Sequence, residues 1–252
     1  MTDRLASFSD IVVLGCGSYL GMSLARALKP LARLTGVSHH SIHDHEFDNL
    51  LECDAADGES LRTHLLPTIN DATNLGVVCG IGRFPIRHPL SEATEAEYRQ
   101  VFDSNVLVFL NALSATRHRR PHTPVTFVTL GSVSLPYHYP ELGLYNSAKA
   151  ALRHAVKTAS HEMSNRNFRF IHVNLSTLRQ PKERPFTFVS DEQYLLDCDT
   201  VASQIRETLL MTSSHIHFLE IDSYVPNPDY YHKAYYDRLP ADAANNCVNR
   251  SG

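Results

Sequence analysis

The sequence predicts an α/β chain: a single doubly wound domain with a seven-stranded, mainly parallel sheet and helices on both faces. Three observations carry that expectation. Short apolar, β-branched runs alternate with segments whose apolar residues recur at helical spacing. The first run, Ile11-Val12-Val13-Leu14, passes through a glycine-rich turn straight into a helix. No repeat, linker or low-complexity block divides the 252 residues, of which 43% are hydrophobic and 20% charged, enough for one large domain with a substantial core. The domain is expected to span 1–252, with 227–252 as a tail whose tyrosines could cover a pocket or a subunit surface and whose polar end is prone to fray.

Gly15-Cys16-Gly17-Ser18-Tyr19-Leu20-Gly21 follows the first strand, and Leu24, Ala25 and Leu28 mark the helix behind it. Glycines there let backbone N–H groups approach a pyrophosphate at the positive end of the helix, so a dinucleotide is the expected ligand; a purely structural turn is the competing reading. Lys29-Pro30 ends the helix, and Arg33 to Ser38 is the second strand. Its tip should lie beside the adenosine ribose. That tip reads His39-His40 and offers no carboxylate to a 2′-hydroxyl, whereas Ser38, His39, His40 and Ser41 can donate to a 2′-phosphate; NADP(H) is therefore favoured over NAD(H). The run His39 to His45 also contains metal-ligand types, but as a polar loop without a closed ligand set, so no metal site is expected.

Asn49 to Cys53 reads as a third strand closed by Asp54, Glu59 to Ile69 as a helix, and Gly76 to Cys79 as a buried fourth strand followed at once by Gly80 and Gly82. Glu92 to Thr116 reads as one long helix whose apolar face is interrupted by Asn105, an amide that either caps a local irregularity or holds water for a site. Val125 to Leu130, the fifth strand, delivers Gly131-Ser132-Val133-Ser134 to the edge where open parallel sheets bind ligands. Tyr145 and Lys149 then share one face in the first turn of a helix running to Met163; taken alone, such a pair is explained by an ordinary solvated helix. Phe168 to Leu175, an irregular segment from Thr177 to Asp197, a helix from Thr200 to Met211 and a strand from Ile216 to Ile221 complete the alternation.

A formal charge of -4 and a pI near 6.4 give no basic field for a polyanion, so nucleic acid is not an expected partner. No apolar run approaches the length of a membrane span and no secretory leader is evident, so no membrane partner is expected and the cytoplasm is the expected location. Five scattered cysteines without C-x-x-C spacing suit reduced thiols.

In order and spacing these residues resemble the single-domain short-chain dehydrogenases/reductases, a Rossmann-type family, from Ile11 to about Tyr224. The resemblance places the family's catalytic tetrad on Asn105, Ser132, Tyr145 and Lys149, its cofactor turn on Gly15, Gly17, Ser18, Tyr19, Leu20 and Gly21, and its adenine-contacting Asp on Asp54; Gly80, Tyr145 and Lys149 would also meet the cofactor. It implies reduction of a small-molecule carbonyl, or oxidation of the alcohol, with Tyr145 as general acid or base. Lys149 would lower the phenol's pKa and bind the nicotinamide ribose, Ser132 would hold the substrate oxygen, and Asn105 would support a water. Ser134 and His138 would line the substrate side, and the two long helices would pair copies into a homodimer or homotetramer.

Four departures stand out. Tyr19 replaces a turn glycine, the Asn-Ala-Gly after the fourth strand is replaced somewhere within Val78 to Gly82, the Pro-Gly after the sixth strand by Leu178-Arg179, and the next threonine by Glu183. Arg179, Lys182 and Arg184 either receive an anion or form a solvated basic loop. Two other functions stay open: a dinucleotide-binding sensor or scaffold that lost the reaction, and an epimerase or dehydratase working through transient oxidation, for which the chain leaves no additional substrate domain.

Overall fold

The computed structural model describes residues 7–42, 45–84, 89–117, 123–136, 141–179, 195–211 and 216–223. Strands β1 (Asp10–Leu14), β2 (Arg33–Ser38), β3 (Asn49–Glu52), β4 (Leu75–Cys79), β5 (Val125–Ser132), β6 (Phe168–Leu175) and β7 (Phe218–Ser223) form one sheet in the order β3-β2-β1-β4-β5-β6-β7. Every neighbouring pair is parallel. The chain works outward from β1 to β3, then returns to place β4 on the other side of β1. The strand order therefore reverses between β1 and β4, which opens a crevice at their carboxyl ends.

Right-handed crossovers of this kind put helices on both faces. On one face α1 (Tyr19–Leu28) and α6 (Cys198–Met211) bury Leu24, Leu28, Val201, Ile205 and Leu209 against Ile11, Val13, Val78, Val128 and Ile171. On the other, α2 (Gly58–Ile69), α4 (Val108–Thr116) and α5 (Gly143–Glu162) bury Leu61, Leu65, Phe109, Leu152 and Val156 against Val12, Val77, Phe127 and Phe170. Residues of alternate parity along one strand thus join different cores, which is why β1, β4 and β5 are buried along their whole length rather than on alternate residues.

The helix expected from Glu92 to Thr116 is assembled from pieces. A short 3₁₀ turn (Leu90–Glu92) precedes α3 (Glu95–Phe102), a π-helical turn occupies Asp103–Leu107, and α4 continues from it. α3 starts at Glu95 because Thr94 caps it: its hydroxyl accepts from the Glu97 N–H while the Glu97 carboxylate accepts from the Thr94 N–H. β5 runs two residues past its expected end, since β6 pairs with it as far as Gly131↔Asn174 and Ser132↔Leu175. β7 is shifted two residues on from Ile216–Ile221, because pairing with β6 begins at Phe170↔Phe218.

A polar column runs beneath α5 through β5, β6 and β7. Thr129 and the fully buried His172 lie side by side, Oγ1 to Nδ1 2.8 Å, and Asn174 donates from Nδ2 to the Glu220 and Asp222 carboxylates at 3.0 and 2.9 Å. Glu220 in turn receives Arg153 at 2.5 and 2.9 Å and Lys157 at 3.2 Å, both from α5. The Arg153 hydrogen bond, helped by Asn174 and Lys157, holds Glu220 down to about 2 despite partial burial. Burial holds His172 down to about 4, so it stays neutral inside the fold.

These shifts set the acid response. Between pH 6.5 and about 4 the unfolded chain binds a proton on His172 that the folded chain refuses, and from 4.5 to about 2 the same holds for Glu220, so stability falls as pH falls through both windows. With its side chain one-fifth exposed, Glu220 contributes roughly 2 kcal/mol at neutral pH after allowance for solvent screening. Glu220→Gln is expected to lower the urea-unfolding free energy at pH 7 by about that amount and to flatten its pH dependence below 4.5. An unchanged acid slope in the variant would remove Glu220 from this role.

Candidate active site

Gly15 to Gly21 wraps from β1 into α1. Gly15 has φ +83°, and a Cβ there would lie 2.7 Å from Ile81; a Cβ on Gly21 would strike the Gly15 carbonyl at 2.4 Å. Ser18 caps α1 by accepting from the Gly21 N–H at 3.0 Å. Tyr19 sits on the first residue of α1 in ordinary helical geometry with its side chain 52% exposed. The replacement of a turn glycine by Tyr19 is therefore no constraint on the backbone: a residue that opens a helix needs no glycine, and its ring is exposed.

The exposed tip of β2 faces this turn, for a Cβ on Gly17 would lie 3.2 Å from Ser38 Oγ. His39 and His40 stack there, ring centroids 4.8 Å apart. The expectation that this tip lacks a carboxylate needs correction. Glu52, paired with Ser38 across the β2–β3 ladder, accepts a hydrogen bond from Ser41. The carboxylate comes from the neighbouring strand, where spacing along β2 could not reveal it. Asp54 is exposed just beyond β3, and its carboxylate accepts from the Ala56 N–H at 2.9 Å.

The residues expected to form the tetrad converge at the carboxyl ends of β4 and β5. Lys149, only 4% exposed, donates from Nζ to the Leu130 carbonyl at 2.9 Å. β4 stops at Cys79 opposite Thr129, so Leu130 lies where β5 has outrun that neighbour. Asn105 occupies the π-helical turn; its Nδ2 donates to Val101 and Arg83 carbonyls at 2.8 and 3.0 Å, while its buried Oδ1 has no hydrogen-bond partner among the described residues. Asn105 therefore belongs to an irregularity, and its oxygen is a buried acceptor of the kind a water fills.

Gly82 stands between them: a Cβ there would be 2.9 Å from Asn105 Oδ1 and 3.1 Å from Lys149 Nζ. The absent Asn-Ala-Gly thus corresponds in place to Gly80-Ile81-Gly82, directly after β4. Gly80 donates its N–H to the Leu14 carbonyl at 2.9 Å, which ties this segment to the glycine turn.

The Tyr145 ring packs on Phe84, centroids 4.8 Å apart, and lies 5.6 Å from Lys149 Nζ. Burial pushes its hydroxyl up to about 12, with the hydrogen bond between it and Ser132 acting in the opposite direction. Burial likewise lowers Lys149 to about 8. The expectation that Lys149 lowers the phenol's pKa is thus outweighed here, because one dry environment penalises both charges at once. At neutral pH Tyr145 is a phenol, the form a general acid needs.

Ser132 Oγ lies 2.7 Å from Ser134 Oγ, and Ser134 donates to Asn146 Oδ1 at 2.6 Å, so the half-buried Ser134 hydroxyl links Ser132 to α5. His138, Lys182, Glu183 and Arg184 lie outside the described residues. Leu178 forms a bridge with Leu196, and the Arg179 N–H donates to the Leu196 carbonyl at 2.8 Å, so this replacement for Pro-Gly holds the chain entering α6. Among the described residues no group of three or more His, Cys, Asp or Glu side chains could hold a metal ion, and no helix is long and apolar enough to cross a membrane.

A family model described as enoyl-(acyl carrier protein) reductase matches residues 29–195. The chain belongs to the short-chain dehydrogenases/reductases. No curated protein matches it in sequence. Its fold is shared with 3-ketoacyl-(acyl-carrier-protein) reductase from Brucella melitensis, solved with NADH, at 16% identity and TM-score 0.74 over 85% of this chain and 96% of that one. Gluconate 5-dehydrogenase from Burkholderia cenocepacia, solved with NADP and tartrate, gives 17% identity and TM-score 0.71 over 87% and 96%. An alcohol dehydrogenase from the archaeon Thermococcus sibiricus, complexed with 5-hydroxy-NADP, gives 20% and 0.70 over 86% and 96%.

For this short-chain dehydrogenase/reductase, residue order carries no sign of the contacts that Gly82, Phe84 and Asn146 make in the site. The glycine adjoins the fourth strand and was visible as a candidate position; the ring and the amide carried no spacing signal, since each acts on Tyr145 or its neighbours only through the folded chain.

The buried ammonium has a thermodynamic cost. Because the folded chain holds Lys149 near 8 against 10.5 unfolded, its charge opposes folding below pH 8, and stability rises as pH climbs from 8 to 10.5. At neutral pH that opposition is roughly 3 kcal/mol. Lys149→Met is expected to abolish turnover yet raise unfolding free energy at pH 7 by about 2 kcal/mol, the gain disappearing by pH 10.5. A variant less stable than the parent at both pH values would contradict this.

Proposed function

We propose that the chain is an NADPH-dependent reductase of a small-molecule carbonyl group, with Tyr145 as the general acid. The observation that carries the reading is the convergence of Tyr145, Ser132, Lys149 and Asn105 at the carboxyl ends of β4 and β5, in the crevice where the strand order reverses. The residues fit a nicotinamide dinucleotide. Gly15 and Gly21 leave the backbone of the turn free to approach a pyrophosphate at the α1 N-terminus, and the partnerless Asn105 oxygen and the Lys149 ammonium face one small space beside Gly82.

In this reading the glycine turn holds the pyrophosphate, Asp54 meets the adenine end, and Lys149 holds the nicotinamide ribose. His39 and His40, exposed and stacked at the β2 tip, receive the 2′-phosphate. Their donors favour that phosphate, while Glu52 is occupied by Ser41. The bound cofactor supplies hydride to the substrate carbon. The chain's own part is to orient the carbonyl oxygen beside Tyr145 and Ser132 and to give it the phenolic proton. Phe84 closes one side of the phenol, and a water at Asn105 Oδ1 links Lys149 to solvent for reprotonation.

The neighbours solved with NADP, 5-hydroxy-NADP and NADH agree with a dinucleotide without choosing between its two forms. Fluorescence titration is expected to show tighter binding of NADPH than NADH, and a carbonyl panel to show cofactor oxidation. Tyr145→Phe is expected to reduce turnover at least about 10³-fold while leaving NADPH affinity within a few-fold of the parent. Binding of neither dinucleotide would defeat the proposal; binding without hydride transfer would make the chain a sensor or scaffold.

A further inference from the structure

Asn146 follows Tyr145 on α5, and its amide oxygen can only accept. Ser134 donates its single hydroxyl hydrogen to that oxygen at 2.6 Å. The 2.7 Å contact between the two serine hydroxyls must then be a bond from Ser132 to Ser134, since Ser134 has no second hydrogen to give. The Ser132 oxygen also accepts from the Ser134 N–H at 3.2 Å. What Ser132 can offer Tyr145 in this arrangement is a lone pair. The row therefore runs one way: Tyr145 O–H to Ser132, Ser132 O–H to Ser134, Ser134 O–H to Asn146.

We propose that Asn146 is a positioning residue that sets this direction of donation, and with it the balance between phenol and phenolate at Tyr145. The proposal rests on the oxidoreductase reading and extends it to a residue outside the tetrad. A phenol is stabilised by the row as it stands. A phenolate needs the Ser132 hydrogen turned back toward it, which leaves the Ser134 oxygen without its donor; the Ser134 oxygen and the phenolate thus compete for the Ser132 hydrogen, and Asn146, by holding the Ser134 hydrogen, keeps Ser134 from donating to Ser132 in its place. In carbonyl reduction the phenolic O–H breaks as a new O–H forms on the reduced substrate oxygen; Ser132 then rotates to the phenolate until a proton returns. Asn146 thus favours the acid form before the transfer and hastens reprotonation after it.

Among the described residues, the other groups around Tyr145 do not set this direction. Lys149 on its own helix stands 5.6 Å from the ring, Phe84 after β4 covers the ring, and Arg83 beside it is exposed. Ser132 and Ser134 after β5 and Asn105 in the π-helical turn are uncharged.

The test is alkaline titration of the ligand-free protein by ultraviolet difference absorbance, with Tyr145→Phe as the baseline and unfolding curves confirming that each variant is folded. Asn146→Ala removes the acceptor, frees Ser134 to donate to Ser132 and Ser132 to donate to the phenolate, and is expected to lower the Tyr145 midpoint by about one pH unit. Asn146→Asp keeps the acceptor and is expected to leave the midpoint at or above that of the parent. A merely structural role would open the site and lower both variants alike. That outcome, or an unshifted Asn146→Ala, would overturn the proposal. The readout needs no turnover: the expected shifts in a protein without hydride transfer defeat the enzymatic reading alone, and turnover with unshifted midpoints defeats the role of Asn146 alone.

Discussion

The burial of one ammonium group against the end of β5 is the constraint on which the site depends. Among the described residues Lys149 has one backbone acceptor, the Leu130 carbonyl, and that acceptor lies where β5 has outrun β4. The unequal strand lengths, the missing side chain at Gly82 and the wide helical turn that presents Asn105 all serve the same small volume. Each would be a weak feature in another place. A bulkier residue at Gly82, or a regular α-helix through Asp103–Leu107, would close the space beside the ammonium or turn the amide away from it.

Burial acts on both partners of the Tyr-Lys pair in a way their separation alone does not convey. Burial raises the phenol to about 12 and lowers the ammonium to about 8, so the ligand-free site favours an uncharged tyrosine beside a lysine that is easily discharged. A bound dinucleotide brings its own charges and hydroxyls into that balance. The site is built to be completed by a ligand, and its residual cost is carried by the rest of the fold.

The same helix is clamped at a second point. One and two turns beyond Lys149, Arg153 and Lys157 reach Glu220 on β7, which Asn174 on β6 also holds. A catalytic pair must be fixed to within a fraction of an ångström to be useful, and a helix packed only through Leu152, Val156 and Ala159 could slide along the sheet. Ion pairs to an adjacent strand set the position along the helix axis that apolar packing leaves loose.

Much of this was legible in residue order. The run Ile11 to Leu14, the glycine turn, the alternation of strands and helices and the spacing of Asn105, Ser132, Tyr145 and Lys149 are local or periodic signals, and they determine by themselves a parallel sheet, its ligand edge and the candidate tetrad, because backbone geometry ties period to element. What only the tertiary structure decided depends on distance between elements far apart in the chain: Glu52 beside the β2 tip, Gly82 between Asn105 and Lys149, Phe84 on the phenol, Asn146 behind the serine row, and burial strong enough to reverse the expected pull of Lys149 on Tyr145. A sequence states which charges and donors are present; only the packed chain sets how much water and which neighbour each of them keeps.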